Sequence, residues 1–235
     1  MSLSLCFVRH AACKIRKGVI GGRHSKSRLT DKGVEQAEQL GIYMKERNVK
    51  FDKVYSSTAA RAKETIQHMG KHLDFDASSG VEFHKELEEL SQGDWEGKSR
   101  DEYFTKDVVK EMDRLGWHWS APGGESMYDL EKRIFGFINR VIVPQLPTDP
   151  KENKRLLVVS HGSAIKCCLR GFLNTSSATF WRHSVENTAV CEFYYADKFW
   201  SLDRWNDTAH LTDVDLYNNY GYFLQQTHVH SDKVE

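Results

Sequence analysis

Two short apolar segments, residues 3–8 (LSLCFV) and 155–160 (RLLVVS), each lead into a histidine within two residues. Runs of this length, bounded by polar residues, are typical of buried strands. His10 follows the first segment and His161 follows the second. In an open α/β sheet, ligands bind beyond the carboxyl ends of the parallel strands. If both segments are parallel strands of one sheet, the two imidazoles lie at the same rim.

Segments with helical periodicity alternate with strand-like segments along the chain. Thr30 is predicted to cap the first helix, and residues 56–58 (SST) are predicted to cap the second. Further strands are expected at 51–55, from 82 into a loop ending at 97, near 188–195 and near 200–205, and further helices at 125–143 and after 162. This alternation predicts an α/β fold with an open, mostly parallel sheet flanked by helices on both faces. We expect a single domain over residues 1–235, with a flexible tail at 225–235.

The composition restricts the classes of partner and the compartment. The formal net charge is +0, from 33 Lys+Arg and 33 Asp+Glu, which argues against nucleic acid or an anionic membrane as a partner. The five cysteines are odd in number and show no Cys-x-x-Cys spacing, so a reducing compartment is favoured over a disulfide framework. The sequence shows no membrane-spanning apolar run and no signal-peptide pattern. We therefore expect a soluble, cytoplasmic protein.

The polar candidates are informative only as a set. Taken singly, an arginine on a helix is usually a surface charge, and Glu89 lies in an acidic stretch that resembles a surface turn. The ordered set is Arg9-His10 after a strand, Arg61 near the start of a helix, Glu89 ahead of residues 93–97 (GDWEG), and His161-Gly162 after a strand.

This ordered series resembles the histidine phosphatase superfamily, also called the phosphoglycerate-mutase-like family. Further marks of the resemblance are residues 29–30 (LT) with Gly33 and 36–37 (QA), 122–126 (PGGES), 187–188 (NT) and 206–211 (NDTAHL). The resemblance covers most of the chain and implies the α/β fold of that family.

The resemblance implies a phosphomonoesterase that acts on a small phosphorylated metabolite through a phosphohistidine. His10 is the expected nucleophile and must be neutral at the attacking nitrogen. Glu89 is the expected general acid, which protonates the leaving oxygen and then takes a proton from water. The groups expected to hold the phosphate are Arg9, Arg61, the Gly162 backbone and His161, which supplies a charge-assisted donor if it is protonated beside the phosphate. Arginine suits this role because its planar fork matches phosphoryl oxygens.

Neither a metal nor another cofactor is expected, because no cluster has good ligand spacing. His228 and His230 could bind a metal weakly, but a flexible tail is the favoured interpretation.

Three residues depart from the family pattern, and the asparagine often found near Arg16 is absent. Ala11 stands where the family usually has glycine, and it would be strained if the position required a positive φ. Cys13 stands where Ser or Thr is expected, and Lys166 where an arginine is common. These departures affect the identity of the substrate more than the chemistry. Arg16 could contact phosphate or be solvated, so it is left out of the core set.

Specificity is expected to come from residues 21–25 and 98–125. Arg23 is a candidate for binding a second anionic group. The aromatic residues that could line a pocket, although aromatics in helical segments are more often core, are Tyr103, Phe104, Trp117 and Trp119.

Two alternative functions stay open. The first is a cofactor-dependent phosphoglycerate mutase, but such mutases usually carry an Arg-Arg pair where this chain has residues 113–119 (DRLGWHW). The second is an inactive module that binds phosphorylated ligands, an alternative that Ala11 keeps open. The ending at 206–211 favours a phosphatase. The expected partner is a small phosphorylated substrate, without nucleic acid or membrane, and a homo-oligomer is left open.

Overall fold

The computed structural model describes residues 2–15, 18–24, 26–75, 80–149 and 151–211. The two segments that lead into histidines form the parallel centre of its sheet. Strand β1 (Ser2–Arg9) pairs with β4 (Asn153–Ser160), and the register runs from Ser2 opposite Asn153 to Arg9 opposite Ser160. Both strands therefore end at the same edge of the sheet.

The other strands extend the sheet on either side of this pair. They are β2 (Lys53–Ser57), β3 (Val81–His84), β5 (Val190–Ala196) and β6 (Phe199–Asp207), and the order within the described residues is β3-β2-β4-β1-β5-β6. The first four in this order are parallel, whereas β5 pairs antiparallel with both β1 and β6. The predicted mostly parallel sheet is confirmed. Its last two strands are joined by a tight turn rather than a helix, with φ of 51° at Asp197 and 70° at Lys198, as in a two-residue hairpin.

Helices cover both faces of the sheet, as predicted. They are α1 (Asp31–Glu46), α2 (Ala60–Gly70), α3 (Arg100–Tyr103), α4 (Lys106–Leu115), α5 (Met127–Phe137) and α6 (Gly162–Leu173). Val159 of β4 packs with Ile66 of α2 in one core cluster, which also contains α1. Its neighbour Val158 packs in the other cluster with Ile134 of α5 and Ile165 of α6. Successive side chains of a strand point to opposite faces, so one buried strand supplies both cores.

The capping predictions had different outcomes at the first two helices. Thr30 caps α1, because its Oγ1 accepts a hydrogen bond from an amide of the first turn at 3.0 Å. The prediction that residues 56–58 cap α2 is wrong: the N-cap is Ala59, which makes no side-chain capping bond. The Ser57 hydroxyl instead lies 2.8 Å from Nε2 of His161. A side chain expected to stabilise a helix end is thus used at the rim of the sheet.

Only part of the helix predicted over 125–143 is a regular α-helix, which begins at Met127. It ends at Phe137 and continues as a π-helical turn over Ile138–Ile142 and a 3₁₀ turn over Val143–Gln145. Pro144 has no N–H to donate to the helix ladder, which accounts for the loss of α-helical geometry here.

Some predictions concern parts of the chain that the structure does not describe or test. The tail at 225–235, with His228 and His230, and Arg16 lie outside the described residues. No helix in the described ranges is both long and apolar enough to cross a bilayer. The single domain over 1–235 stays a prediction. All five cysteines are free thiols.

The close contact between α1 and α2 depends on a glycine in the middle of α1. A Cβ added to Gly41 would lie 2.4 Å from the backbone oxygen of Met69. We expect Gly41→Ala to lower the free energy of unfolding by about 1–3 kcal/mol, because a backbone contact relaxes poorly. At exposed Gly136 in α5, a Cβ would meet no described atom within 4 Å, so Gly136→Ala should stabilise by up to about 1 kcal/mol. Urea denaturation measures both variants, and a stabilised Gly41→Ala would contradict this packing.

Candidate active site

The two histidines at the ends of β1 and β4 meet at the rim of the sheet. The ring centroids of His10 and His161 are 5.0 Å apart, with an angle of 60° between the planes. Both residues are buried, with 6% and 0% of their surface exposed. The His10 amide donates to the backbone oxygen of Ser160 at 3.0 Å, so the β1–β4 ladder continues into the site.

The hydrogen bonds of His10 determine its tautomer. Nδ1 lies 2.8 Å from the backbone oxygen of Ala11, which can only accept, so Nδ1 carries the hydrogen. Nε2 receives a hydrogen bond from Nε of Arg61 at 3.2 Å, so Nε2 is the unprotonated nitrogen. Burial, together with the positive charges of Arg61 and Arg9, holds the pKa of His10 well below its usual value of 6.5. The imidazole is therefore neutral, with a lone pair on Nε2.

Arg61 lies in the first turn of α2 and is 1% exposed. Besides the bond to His10, NH1 donates to the backbone oxygens of Arg23 and His24 at 2.9 and 3.0 Å, and NH2 donates to Gly22 at 3.1 Å. A guanidinium has five N–H donors, and these contacts use four of them. In this arrangement Arg61 acts mainly as a positive charge beside His10 and as an anchor for the loop at 22–24.

Three buried nitrogen atoms at the site and its mouth have no hydrogen-bond partner within the described part of the chain: Nε of Arg9, Nδ1 of His161 and Nε of Arg23. Arg9 is held by a bond from NH1 to the backbone oxygen of Val185, and Nε2 of His161 is held by Ser57 at 2.8 Å. Unpartnered buried polar atoms are rare and often mark a binding function.

The surroundings of His161 oppose its protonation. Burial, with the nearby charges of Arg61 and Arg9, holds the pKa of His161 well below 6.5. These groups favour the neutral ring, and protonation of His161 beside a phosphate stays a prediction.

Gly162 begins α6 beside the Arg9 side chain. A Cβ on Gly162 would lie 3.7 Å from Nε of Arg9, which is an ordinary van der Waals distance. Packing against Arg9 alone therefore does not require glycine at this position.

Glu89 lies apart from the other acidic side chains of its segment. Its Oε1 accepts from the Leu90 amide at 2.8 Å, and its Oε2 accepts from the Ser163 amide at 3.3 Å. The latter contact places the carboxylate at the N-terminus of α6, immediately after His161. Glu86 pairs with Arg140 instead. The structure thus brings Glu89 to the rim rather than to a surface turn.

A further cation, Lys166, lies near the site and is 7% exposed. Burial, together with the charge of Arg9, lowers its pKa to about 8, although Glu89 and Glu186 oppose the shift. The ammonium also lies over the ring of Phe180, 5.2 Å from its centroid. The replacement of the common arginine by lysine thus provides a cation that titrates near neutral pH.

Arg23 is tied to carboxylates at the mouth of the site. Its NH2 lies 2.7 Å from Oε1 of Glu125, and its Nε lies 3.7 Å from Oε2 of Glu88. Glu125 also accepts two bonds of 2.9 Å from Arg133. To bind a second anionic group, Arg23 would have to exchange these carboxylates for the ligand.

The aromatic residues of the 98–125 segment are packed rather than open. Trp95 lies 5.5 Å, between ring centroids, from each of Tyr103, Phe104 and Trp119. Trp117 packs at 5.1 Å on Phe180. The interpretation of these rings as core is therefore the one that the structure supports.

Ala11 is accommodated without strain. It is fully buried, it is not among the residues with positive φ, and its amide donates to Oγ1 of Thr65 at 2.9 Å. The condition under which alanine would be strained here is not met. Cys13 forms a backbone bridge with Leu29.

The sequence interpretation did not place at the site two polar groups that hold it. Ser57 binds His161, and the side chain of Asn187 donates to the backbone oxygen of His10 at 2.8 Å. A signal for Ser57 was available, because it ends the buried strand β2 as the histidines follow β1 and β4. Within the described ranges, no three His, Cys, Asp or Glu side chains are grouped so as to hold a metal ion.

Relatives of known sequence include phosphoglycerate mutases. A 2,3-bisphosphoglycerate-dependent phosphoglycerate mutase from Brucella canis is 28% identical over 207 residues, which cover 81% of this chain and 97% of the relative. The protein of the same name from Brucella ovis is 29% identical with the same coverage.

Solved structures with the same fold include phosphatases. A phosphoserine phosphatase from Entamoeba histolytica, solved with 3-phosphoglyceric acid, has a TM-score of 0.72 and 25% identity, and the match covers 89% of this chain and 100% of that one. The alpha-ribazole phosphatase from Shigella flexneri has a TM-score of 0.71 and 24% identity, over 87% and 96% of the two chains. The sequence profile of the histidine phosphatase superfamily (branch 1) matches residues 5–208. The chain therefore belongs to the histidine phosphatase superfamily.

Proposed function

We propose that this protein is a metal-independent phosphomonoesterase that transfers the phosphoryl group of a small phosphorylated metabolite first to His10 and then to water. The observation that carries the proposal is the neutral, buried imidazole of His10, with its lone pair on Nε2. Beside it lie the unpartnered Nε of Arg9 and Nδ1 of His161, which suit the oxygens of a phosphoryl group. The phosphatases that share the fold support hydrolysis.

In the first step, Nε2 of His10 attacks phosphorus as the bond to the leaving oxygen breaks. The hydrogen bond from Arg61 must be given up as the lone pair forms the N–P bond, while the guanidinium charge stays beside the phosphoryl group. Glu89 gives its proton to the leaving oxygen. In the second step Glu89 takes a proton from water, the new O–P bond forms, the N–P bond breaks, and His10 is released neutral.

Ser57 can determine which nitrogen of His161 faces the phosphoryl group as a donor. The Ala59 amide donates to Oγ of Ser57 at 3.3 Å, so the hydroxyl hydrogen is available for Nε2 of His161 at 2.8 Å. The neutral ring then carries its hydrogen on Nδ1, the atom without a partner in the described chain. In this arrangement the neutral ring of His161 can donate to a phosphoryl oxygen without being protonated.

The mutase alternative is retained because the Brucella relatives carry that name. A bisphosphoglycerate carries anionic groups besides the transferred phosphoryl group, which need further cations at the mouth of the site. The charge of Arg23 is balanced there by Glu125 and Glu88. We therefore favour hydrolysis over transfer to a second substrate. The cytoplasmic location stays a proposal that rests on cysteine content.

The role of Glu89 predicts a dependence on the leaving group. With chelator present, Glu89→Gln should lower kcat by about 10²–10⁴-fold on an alkyl phosphate, whose leaving oxygen needs a proton. It should have a much smaller effect on an aryl phosphate, whose phenolate leaves without help. His10→Ala should abolish both reactions. Steady-state rates on the two esters measure this. The matched control is Glu86→Gln in the same acidic segment, whose carboxylate pairs with Arg140. Full activity of His10→Ala, or loss of wild-type activity with chelator, would refute the mechanism.

The buried neutral histidines predict that stability falls on the acid side. An unfolded imidazole has a pKa of about 6.5, whereas burial and neighbouring arginines hold the pKa values of His10 and His161 well below that in the folded protein. Below about pH 6.5 the unfolded chain therefore binds protons that the folded protein does not, and stability present at higher pH is lost. We expect a slope of up to about 1.4 kcal/mol per pH unit for each histidine.

Urea denaturation from about pH 7.5 to about pH 5.5 measures this slope. His10→Asn and His161→Asn should each remove part of it, and the double variant should remove more. A wild-type free energy of unfolding that stays constant across this window would contradict the neutral state of both rings.

The choice between hydrolysis and transfer predicts the products formed from 3-phosphoglycerate. We expect no rapid formation of the 2-phospho isomer, with or without 2,3-bisphosphoglycerate, because Arg23 is already paired. Phosphorus NMR distinguishes the two isomers from inorganic phosphate in one sample. Rapid isomerisation that depends on the bisphosphate would instead favour the mutase.

A further inference from the structure

Thr188, next to the site, has a backbone conformation that its side chain disfavours. It is fully buried and has a φ of 58°, in the left-handed region. A β-branched residue rarely adopts this conformation, because its Cβ approaches the following backbone. Such a residue persists only where the surrounding structure determines its position, and these positions cluster at functional sites.

The turn that contains Thr188 holds the backbone of the proposed nucleophile. The Thr188 amide donates to the backbone oxygen of Arg9 at 3.0 Å, and the Arg9 amide donates to the backbone oxygen of Ala189 at 3.2 Å. The Asn187 side chain donates to the backbone oxygen of His10 at 2.8 Å. Both residues at the end of β1 are therefore bound by this one turn.

The Thr188 side chain is in turn held by His210. Oγ1 of Thr188 donates to the backbone oxygen of Asn187 at 2.7 Å and lies 2.9 Å from Nε2 of His210. A hydroxyl has one hydrogen, so with that hydrogen on Asn187 the second bond is a donation from Nε2 of His210. The Tyr43 ring lies 5.9 Å from that imidazole, measured between centroids.

A second contact joins the same two parts of the chain. Oδ1 of Asn206 accepts from the Glu186 amide at 2.7 Å, one residue before Asn187. A local hydrogen bond also stabilises the conformation of residues 206–211: the Leu211 amide donates to the backbone oxygen of Thr208 at 2.8 Å. The 206–211 segment, which begins at the end of β6, thus contacts the 186–188 turn at two points.

We propose that His210 is a positioning residue for the nucleophile, acting through Thr188 and Asn187 on the backbone of His10. His210 contacts Thr188 in the strained turn, and that turn binds the end of β1. The inference rests on the proposed role of His10 for its effect on activity, but the contact itself does not. The residues at 187–188 and at 206–211 then share one role, which is to hold the backbone of His10 in place.

Removing the His210 imidazole should therefore misalign His10 without weakening substrate binding. We expect His210→Ala to slow phosphohistidine formation by about tenfold to a hundredfold, because small misplacements of a reacting group are costly. KM should stay within about twofold, as for an interaction that acts only on the chemical step. Rapid-quench measurement of the phosphoenzyme with an aryl phosphate gives the rate. The control is His72→Ala, a partly buried histidine at the opposite end of α2 from Arg61.

Variants of Thr188 distinguish the effect of losing the hydroxyl group from the effect of losing the folded structure. Thr188→Ser keeps the bond to His210 and should retain most of the rate, whereas the isosteric Thr188→Val should behave like His210→Ala. Should His210→Ala fail to fold by its thermal transition, this pair decides: equal rates of phosphohistidine formation in the serine and valine variants would overturn the proposal.

Nitrogen NMR of the His10 ring tests positioning without reference to activity. Wild type should show one tautomer, with hydrogen on Nδ1, and His210→Ala should show a mixture or broadened signals. A folded His210→Ala with an unchanged His10 spectrum and an unchanged phosphorylation rate would overturn the inference. A wild type that never forms phosphohistidine would refute the proposed function instead, while the spectra still decide the positioning role.

Discussion

Arg61 carries a positive charge into the interior of the protein, where only 1% of its surface is exposed, and donates a hydrogen bond to Nε2 of His10. Burying a cation is costly unless its donors are satisfied. The backbone oxygens of the loop at 22–24 supply the acceptors. The same charge holds the pKa of His10 low, second only to burial itself. The state of the proposed nucleophile and the course of this loop therefore depend on one guanidinium.

The loop at 22–24 presents its backbone oxygens to Arg61 while its backbone amides are bound by a carboxylate. Glu96 accepts from the Arg23 amide at 3.0 Å and from the His24 amide at 3.3 Å, so the carbonyls face a cation and the amides face an anion. Gly22 has a φ of 75°, and a Cβ there would lie 2.4 Å from Oε1 of Glu96. Glycine at this position thus permits the close approach that orients the peptide dipoles.

The sequence was most informative where function follows from the direction of a strand. His10 and His161 could be placed together because parallel strands end at one rim, a property of local pattern and general topology. Ser57 could not, because a helix end and an imidazole 104 residues away compete for its hydroxyl, and only the folded arrangement decides between them. Hydrophobic periodicity likewise cannot predict the contact of Thr188 with His210, because this contact joins an irregular turn to the segment after the last strand.

The charges around the site also explain why a neutral imidazole can work among cations. Arg9 and Arg61 both lower the pKa of His161 after burial has done so, which means that the protein itself resists placing another positive charge there. A phosphate dianion would reverse this balance, because it compensates the arginines and favours the protonated form of a neighbouring ring. In the proposed mechanism, the arginine charges and burial therefore keep the imidazole of His10 neutral and nucleophilic before the substrate arrives. The two buried histidines differ in the nitrogen that each leaves for the substrate: His10 has an unprotonated Nε2, whereas His161 has Nδ1, which carries the hydrogen when Ser57 binds Nε2.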